Sequence, residues 1–273
     1  MSNLKSAKPI PCAKEPNCQG WESIISKWRN VGWPRRPSNY ELKRMSPIVE
    51  SINGAPIGIF GATPEYRSLL GEKKPNNDVF LFEKSAASHA GMTEILKSDF
   101  SHAPKKENRV DIDWEYMNFA KNEFSLLMGD IFTGYFQTTK RLDEFLANSY
   151  KMLAIGGKFI IRDFVNIAFS AKTDEIHHCG QSVDERRWMY ILKPNFAIEG
   201  NTFYEQKLAN NLLEKAHDTK VFKTCANPPR ERLILPQREF EAHFVAAGFD
   251  VQTLSQPFNN SVAYPGVWVL TKK

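Results

Sequence analysis

Five short, mostly apolar runs with helix-like spans between them constrain this chain more than any other feature. They cover 57–60, 79–82, 110–112, 124–128 and 158–161. Runs this apolar suit strands that are covered on both faces. Their alternation with helical spans such as QTTKRLDEFLANSYKML, from Gln137, predicts a parallel α/β sheet. Two further runs come late, FDVQTL from Phe249 and GVWVL from Gly266. Between the fifth run and these lies PQREFEAHFVAAGF, a helix expected to start near Pro236 and stop at Gly248.

The N-terminal part reads differently. Residues 1–20 are rich in Pro, Lys and Asn and are expected to form an extended tail. In WESIISKW the apolar positions 21, 24, 25 and 28 share one helix face. Pro34 and Pro37 then break the pattern, and Ser38 with Glu41 forms a capping box that opens a second helix. Residues 21–56 are therefore expected to be a helical segment lying over the ligand cleft.

Composition excludes several classes. Hydrophobic residues at 42% and aromatics at 12% can supply a core, which argues against disorder. No apolar run is long enough to cross a bilayer, and the N-terminus lacks the apolar centre of a signal peptide. Cys12, Cys18, Cys179 and Cys225 show no pairing logic and read as thiols in a reducing cytosol, so a cytoplasmic location is expected. Basic pairs such as Arg35-Arg36, Lys105-Lys106 and Arg186-Arg187 are scattered, so a nucleic-acid footprint is not expected. The adjacent His177, His178 and Cys179 lack a spaced ligand partner, so no metal is expected. His89 reads as a helix-surface residue.

The first run ends in IFGATPEY. Gly61 permits a tight turn, but the second and third glycines of a phosphate-binding loop are replaced by Thr63 and Glu65. Thr63 suits a helix N-cap, Pro64 the first helical position and Glu65 the positive end of the helix dipole. A carboxylate there would repel a pyrophosphate, which favours a nucleoside without phosphates. Glu83 closes the second run, 22 positions beyond Gly61, where an acid holds a ribose diol. Asp113 and Trp114 follow the third run. An Asp accepts from an adenine amino group, and an indole lines a purine slot. Gly129 and Asp130 close the fourth run at the same edge of the sheet.

These segments, in this order, resemble the class I S-adenosylmethionine-dependent methyltransferases. IGIFGATPEY is similar to the first motif of a branch with a Gly-x-Thr-Pro-Glu turn. FLFEKS resembles the acidic second motif, DIDW the adenine-contacting motif and FSLLMGD the fourth-strand motif. LAIGGKFIIRDF resembles the fifth-strand segment, reached through a Gly-Gly turn, and AAGFDVQTL and GVWVLTKK the closing strands. The resemblance implies a Rossmann-like α/β fold: a seven-stranded, mostly parallel sheet with helices on both faces and a helical insertion. It implies S-adenosyl-L-methionine as cofactor, held by Gly61, Ala62, Thr63, Pro64, Glu83, Lys84, Asp113, Trp114, Gly129 and Asp130. One position departs from the family. Ile59 stands where an acid often holds the methionine ammonium, so backbone carbonyls near Gly61 or another polar side chain must take that role.

The implied reaction is in-line methyl transfer to a small-molecule acceptor. An RNA or protein methyltransferase, or a non-catalytic S-adenosylmethionine-binding protein, is the alternative. The sulfonium is already activated, so a base is needed only where the acceptor must lose a proton. Asp130, Tyr135, Arg162 and Asp163 are the positional candidates. Residues 57–165 and 237–273 are expected to form the core. The insertion at 166–236 is far longer than an ordinary connection. DEIHHCGQSVDERRWMYIL and NTFYEQKLANNLLEKA read as helical within it, and it is expected to cap the substrate. A homodimer contact is its alternative role.

Overall fold

The computed structural model describes residues 36–54, 56–114, 117, 123–136, 138–164, 202–204, 231–233, 235, 237–255 and 265–273. The tail, the WESIISKW segment, all four cysteines and most of the insertion lie outside these residues.

Seven strands form one sheet. They are β1 (Ile57–Phe60), β2 (Asp78–Phe82), β3 (Lys106–Val110), β4 (Phe124–Asp130), β5 (Leu153–Phe164), β8 (Phe249–Ser255) and β9 (Pro265–Lys272). Their order is β3-β2-β1-β4-β5-β9-β8. Strands β1 to β5 pair in parallel, and β9 runs antiparallel to both β5 and β8. Two short strands from the insertion, β6 (Thr202–Tyr204) and β7 (Glu231–Leu233), pair antiparallel as a separate ribbon.

Five helices are described: α1 (Asn39–Ser51), α2 (Pro64–Lys73), α3 (Ala86–Asp99), α4 (Thr139–Met152) and α5 (Gln237–Ala246). They cover both faces of the sheet. On one face, Met45 and Val49 of α1 and Tyr66 and Leu70 of α2 pack on Ile57, Ile59, Leu126 and Met128. On the other, Phe145 of α4 and Phe240 and Phe244 of α5 pack on Phe60, Leu127, Phe159 and Trp268. Adjacent residues of β1 thus serve opposite cores, as the two-residue repeat of a strand dictates. This is the Rossmann-like α/β sheet expected from the sequence.

Two local expectations are corrected. The third strand is Lys106–Val110, not 110–112. It is the sheet edge, half-buried and polar (KENRV), so an apolar run does not mark it. Within NTFYEQ, Thr202–Tyr204 is a strand rather than the start of a helix. Its Thr, Phe and Tyr favour extended backbone, and it pairs with Glu231–Leu233. The capping box of α1 is present. Glu41 N–H donates to Ser38 Oγ at 3.2 Å, and Ser38 N–H donates to Glu41 Oε2 at 2.6 Å.

Candidate functional site

Strand order reverses between β1 and β4, and open α/β sheets bind ligands in the crevice beyond the carboxyl ends of strands at such a point. The turns following β1, β2 and β3 and the ends of β4 and β5 therefore face one edge. Every residue expected to hold a cofactor sits on them.

Gly61 follows β1 with φ +92°, a left-handed backbone that favours glycine. Its N–H donates to Phe82 O at 3.0 Å, which ties the turn to the end of β2. A side chain added at Gly61 would meet the indole of Trp114 at 3.8 Å, so the ring stands beside the open face of this turn. Trp114 is held there by its own N–H, which donates to Phe82 O at 2.6 Å, and by edge contacts with Phe60 and Tyr135. Ala62 is buried against Met92 and Ile95, so it offers a ligand only its backbone. Pro64 occupies the first turn of α2 as expected. Thr63 precedes it, but its hydroxyl makes no capping bond, contrary to the N-cap expectation. A capping Thr needs extended backbone, and Thr63 has φ −51° and ψ 114°.

Glu83 follows β2. Its Oε1 accepts from Ser85 N–H at 2.8 Å and its Oε2 from the Ser88 hydroxyl at 3.4 Å. Its carboxylate thus braces the start of α3. Each oxygen keeps a second lone-pair direction for a ligand. Burial raises its pKa, against the Ser85 and Ser88 hydrogen bonds and the charge of Arg109. Arg109 of β3 also donates to the carbonyl oxygens of Glu83 and Lys84, at 2.9 and 2.7 Å, and so fixes their backbone. Lys84 Nζ reaches Asp113 Oδ2 at 3.3 Å, which joins the turns after β2 and β3. His89 is half-buried on α3, and burial lowers its pKa.

The ends of β4 and β5 carry a buried charge cluster. Asp130 and Arg162 are register partners. Arg162 is fully buried and donates to Glu41 Oε1 at 2.8 Å, Asp130 Oδ1 at 2.8 Å and Arg36 O at 3.1 Å. Arg36 in turn forms an ion pair with Glu65. Tyr66 is fully buried, and its hydroxyl has no partner among the described residues; nor has Glu65 Oε2. Burial raises the pKa of Asp130 to about 7 against the attraction of Arg162. Arg162 itself stays charged: burial opposes its charge, but Asp130 and Glu41 outweigh that. Ile131, next to Asp130, has φ 48°, an outlier for a β-branched residue and a mark of a constrained site.

This cluster was missed as a unit in the sequence. It also corrects one expectation. Glu65 is only 3% exposed and paired with Arg36, so it presents no bare carboxylate to a pyrophosphate. The signals available were an Arg inside the apolar FIIRDF and acids at two helix starts.

The positional candidates for a base differ in access. Asp163 is buried and accepts from Thr133 N–H at 2.8 Å, so it shapes the turn after β4. Asp130 and Arg162 are in the cluster. Tyr135 is 38% exposed. Gly129 is required by packing, since a side chain there would lie 2.9 Å from Phe132. His177, His178 and Cys179 lie outside the described residues, among which no group of metal ligands occurs. No helix among those residues is long and apolar enough to cross a membrane.

No protein-family profile and no curated protein matches the sequence. Solved structures do match its fold. A Listeria monocytogenes protein described as an S-adenosylmethionine-dependent methyltransferase superposes with a TM-score of 0.55 at 10% identity. The match covers 86% of this chain and 97% of that one. A Methanosarcina mazei protein described as a SAM-dependent methyltransferase gives 0.52 at 11% identity, covering 83% and 97%. A Rhodobacter sphaeroides protein described as a Zn-dependent alcohol dehydrogenase gives 0.60 at 13% identity, covering 96% and 100%. Identities this low establish a shared Rossmann-like α/β fold alone.

Proposed function

We propose that this chain is an S-adenosylmethionine-dependent methyltransferase acting on a small-molecule acceptor. The observation that carries the reading is a convergence at one sheet edge. A left-handed glycine turn, an oriented Glu83 and an Asp113 held by Lys84 follow three neighbouring strands, beside the β1/β4 reversal. The methyltransferase-like fold supports it.

The residues fit the cofactor. Gly61 leaves its open face to the edge, and buried polar atoms of Glu65 and Tyr66 lack partners among the described residues. In this reading Glu83 accepts the two ribose hydroxyls and Asp113 the adenine amino group. Trp114 and Tyr135 wall the purine slot, and Ala62, Thr63, Pro64, Gly129 and Asp130 line it mainly through backbone. When bound, the cofactor supplies a methyl group already activated by its sulfonium. The protein's share is to align the acceptor and exclude water.

The insertion at 166–236 serves as a cap. Its strand β7 packs on the Thr133–Tyr135 turn that follows β4, which favours a place over this edge. Its alternative role is a homodimer contact, which sedimentation of a cap-trimmed variant would reveal as a loss of mass. The scattered placement of the basic residues, without a nucleic-acid track, favours a small-molecule acceptor over RNA.

Titration calorimetry with S-adenosylmethionine, S-adenosylhomocysteine and NAD tests the function. Binding of the first two in preference to NAD is expected. Tighter binding of NAD would overturn the reading.

A further inference from the structure

Asp163 is a carboxylate that solvent does not reach. It is the penultimate residue of β5, is 1% exposed and accepts from Thr133 N–H at 2.8 Å. Thr133 opens the short turn Thr133–Tyr135, which no side chain of its own segment caps. A backbone N–H at the start of such a turn has no partner within it. Asp163 supplies that partner from another strand, and a charged acceptor makes the bond a strong one. Ile131, left-handed and bonded through its N–H to Arg162 O at 2.7 Å, delivers the chain from β4 into this turn. Phe132, Thr133 and Phe136 are buried, and the N–H groups of Tyr135 and Phe136 donate back to Phe132 O and Thr133 O at 2.9 and 3.0 Å. Tyr135 is 38% exposed, and its ring meets Trp114 edge-on with centroids 4.8 Å apart. The Trp114 indole borders the open face of the Gly61 turn.

We propose that Asp163 is a positioning residue for nucleoside binding: through Thr133 N–H it holds the Thr133–Tyr135 turn, and with it the Tyr135 ring against Trp114. The inference rests on the methyltransferase reading above, in which those two rings wall the purine slot. An edge-to-face contact alone is too weak to immobilise a partly exposed ring. A buried, charged hydrogen bond to the backbone that carries the ring fixes it before a ligand arrives. Such preorganisation lowers the ordering cost of binding. It also gives the Asp163 carboxylate a role other than that of a base.

Two measurements test the proposal. Fluorine NMR of the 5-fluorotryptophan-labelled protein, with the Trp114 signal assigned through Trp114→Phe, reads the link without a ligand. Asp163→Ala should shift and broaden that signal. Asp163→Asn keeps an acceptor oxygen for Thr133 N–H and should leave it near its wild-type position. Calorimetric titration with S-adenosylhomocysteine reads the consequence. Tyr135→Ala and Asp163→Ala should each weaken binding by about 2- to 10-fold, the scale of one aromatic contact. Because Asp163 acts through Tyr135, the double variant should bind no more weakly than Tyr135→Ala. Asp163→Asn should keep most of the wild-type affinity, which guards against an Asp163→Ala that does not fold. An unchanged Trp114 signal in Asp163→Ala, additive losses in the double variant, or an Asp163→Asn that binds as weakly as Tyr135→Ala would overturn the positioning role and leave the methyltransferase reading standing. Failure of wild type to bind S-adenosylhomocysteine would overturn both.

Discussion

Asp130 and Arg162 stand opposite one another at the ends of β4 and β5, with Oδ1 and Nη1 2.8 Å apart and neither side chain open to solvent. Their environment makes stability fall with pH. The pKa of Asp130 is raised to about 7 in the folded state, whereas an unfolded Asp titrates near 4. Between these values the native state holds the extra proton. Its contribution is therefore fully present below about pH 4 and is lost as pH rises through about 7. Glu65 and Glu83, both raised by burial, act with the same sign. Wild type should lose more thermal stability between pH 5 and pH 8 than Asp130→Asn, which has no such proton. Parallel melting curves across that range would refute the assignment.

Glu83 is expected to serve two ends at once. Glu83→Ala should weaken S-adenosylhomocysteine binding by about 1.5–3 kcal/mol through loss of a charged acceptor. It should also lower thermal stability, because Ser85 N–H and the Ser88 hydroxyl lose their partner at the start of α3. Glu83→Gln keeps an acceptor oxygen and should restore part of both. An Ala variant that melts lower but binds normally would reduce Glu83 to a brace.

Arg67 is a structural residue. Its guanidinium is wholly buried and makes a two-point contact with Glu107 of β3, at 2.8 and 2.6 Å, and a bond to Thr93 Oγ1 of α3 at 3.0 Å. Removing one partner of a buried pair strands the other charge and costs about 3–5 kcal/mol. Arg67→Met should therefore destabilise strongly in denaturant titration. Arg67→Met with Glu107→Leu should recover much of the loss. A double variant as unstable as the single one would contradict this account.

Gly71, in α2, should reverse the usual helix rule. Replacing a helical Gly by Ala ordinarily stabilises by about 1 kcal/mol. Here the added carbon would lie 2.5 Å from the backbone of Ala103, which cannot swing aside as a side chain can. Gly71→Ala should lower the melting temperature, and a rise would show that the 101–105 loop yields freely.

The sheet was legible because its central strands are buried on both faces and read as apolar runs. β3 was misplaced by several residues because an edge strand has no such need. The Ser38–Glu41 capping box was also legible, being local. Its second use was not. Glu41 Oε1 binds Arg162 Nε across 121 residues, and nothing in SNYELK announces a partner in FIIRDF. Charged residues usually lie in water, so an Arg in a strand and an acid at a helix start each read as surface. Only the fold brings them together. Likewise the acid at Glu83 was readable from spacing, whereas its engagement by Ser85 and Ser88 depended on the geometry of α3.

The position of β9 governs how the molecule can assemble. This strand lies inside the sheet, between β5 and β8, so Lys158 of β5 meets Thr271 across 113 residues. Closing so long a loop is slow compared with forming the β8–β9 hairpin. Until the hairpin docks, the edge of β5, with Phe159, Ile160 and Ile161, remains open as a template for another chain. Pulsed hydrogen exchange during refolding should find the β5–β9 amides protected after those of β1 and β4. Aggregation during refolding should therefore be set by the lifetime of that open edge, and chaperone demand should end when β9 docks.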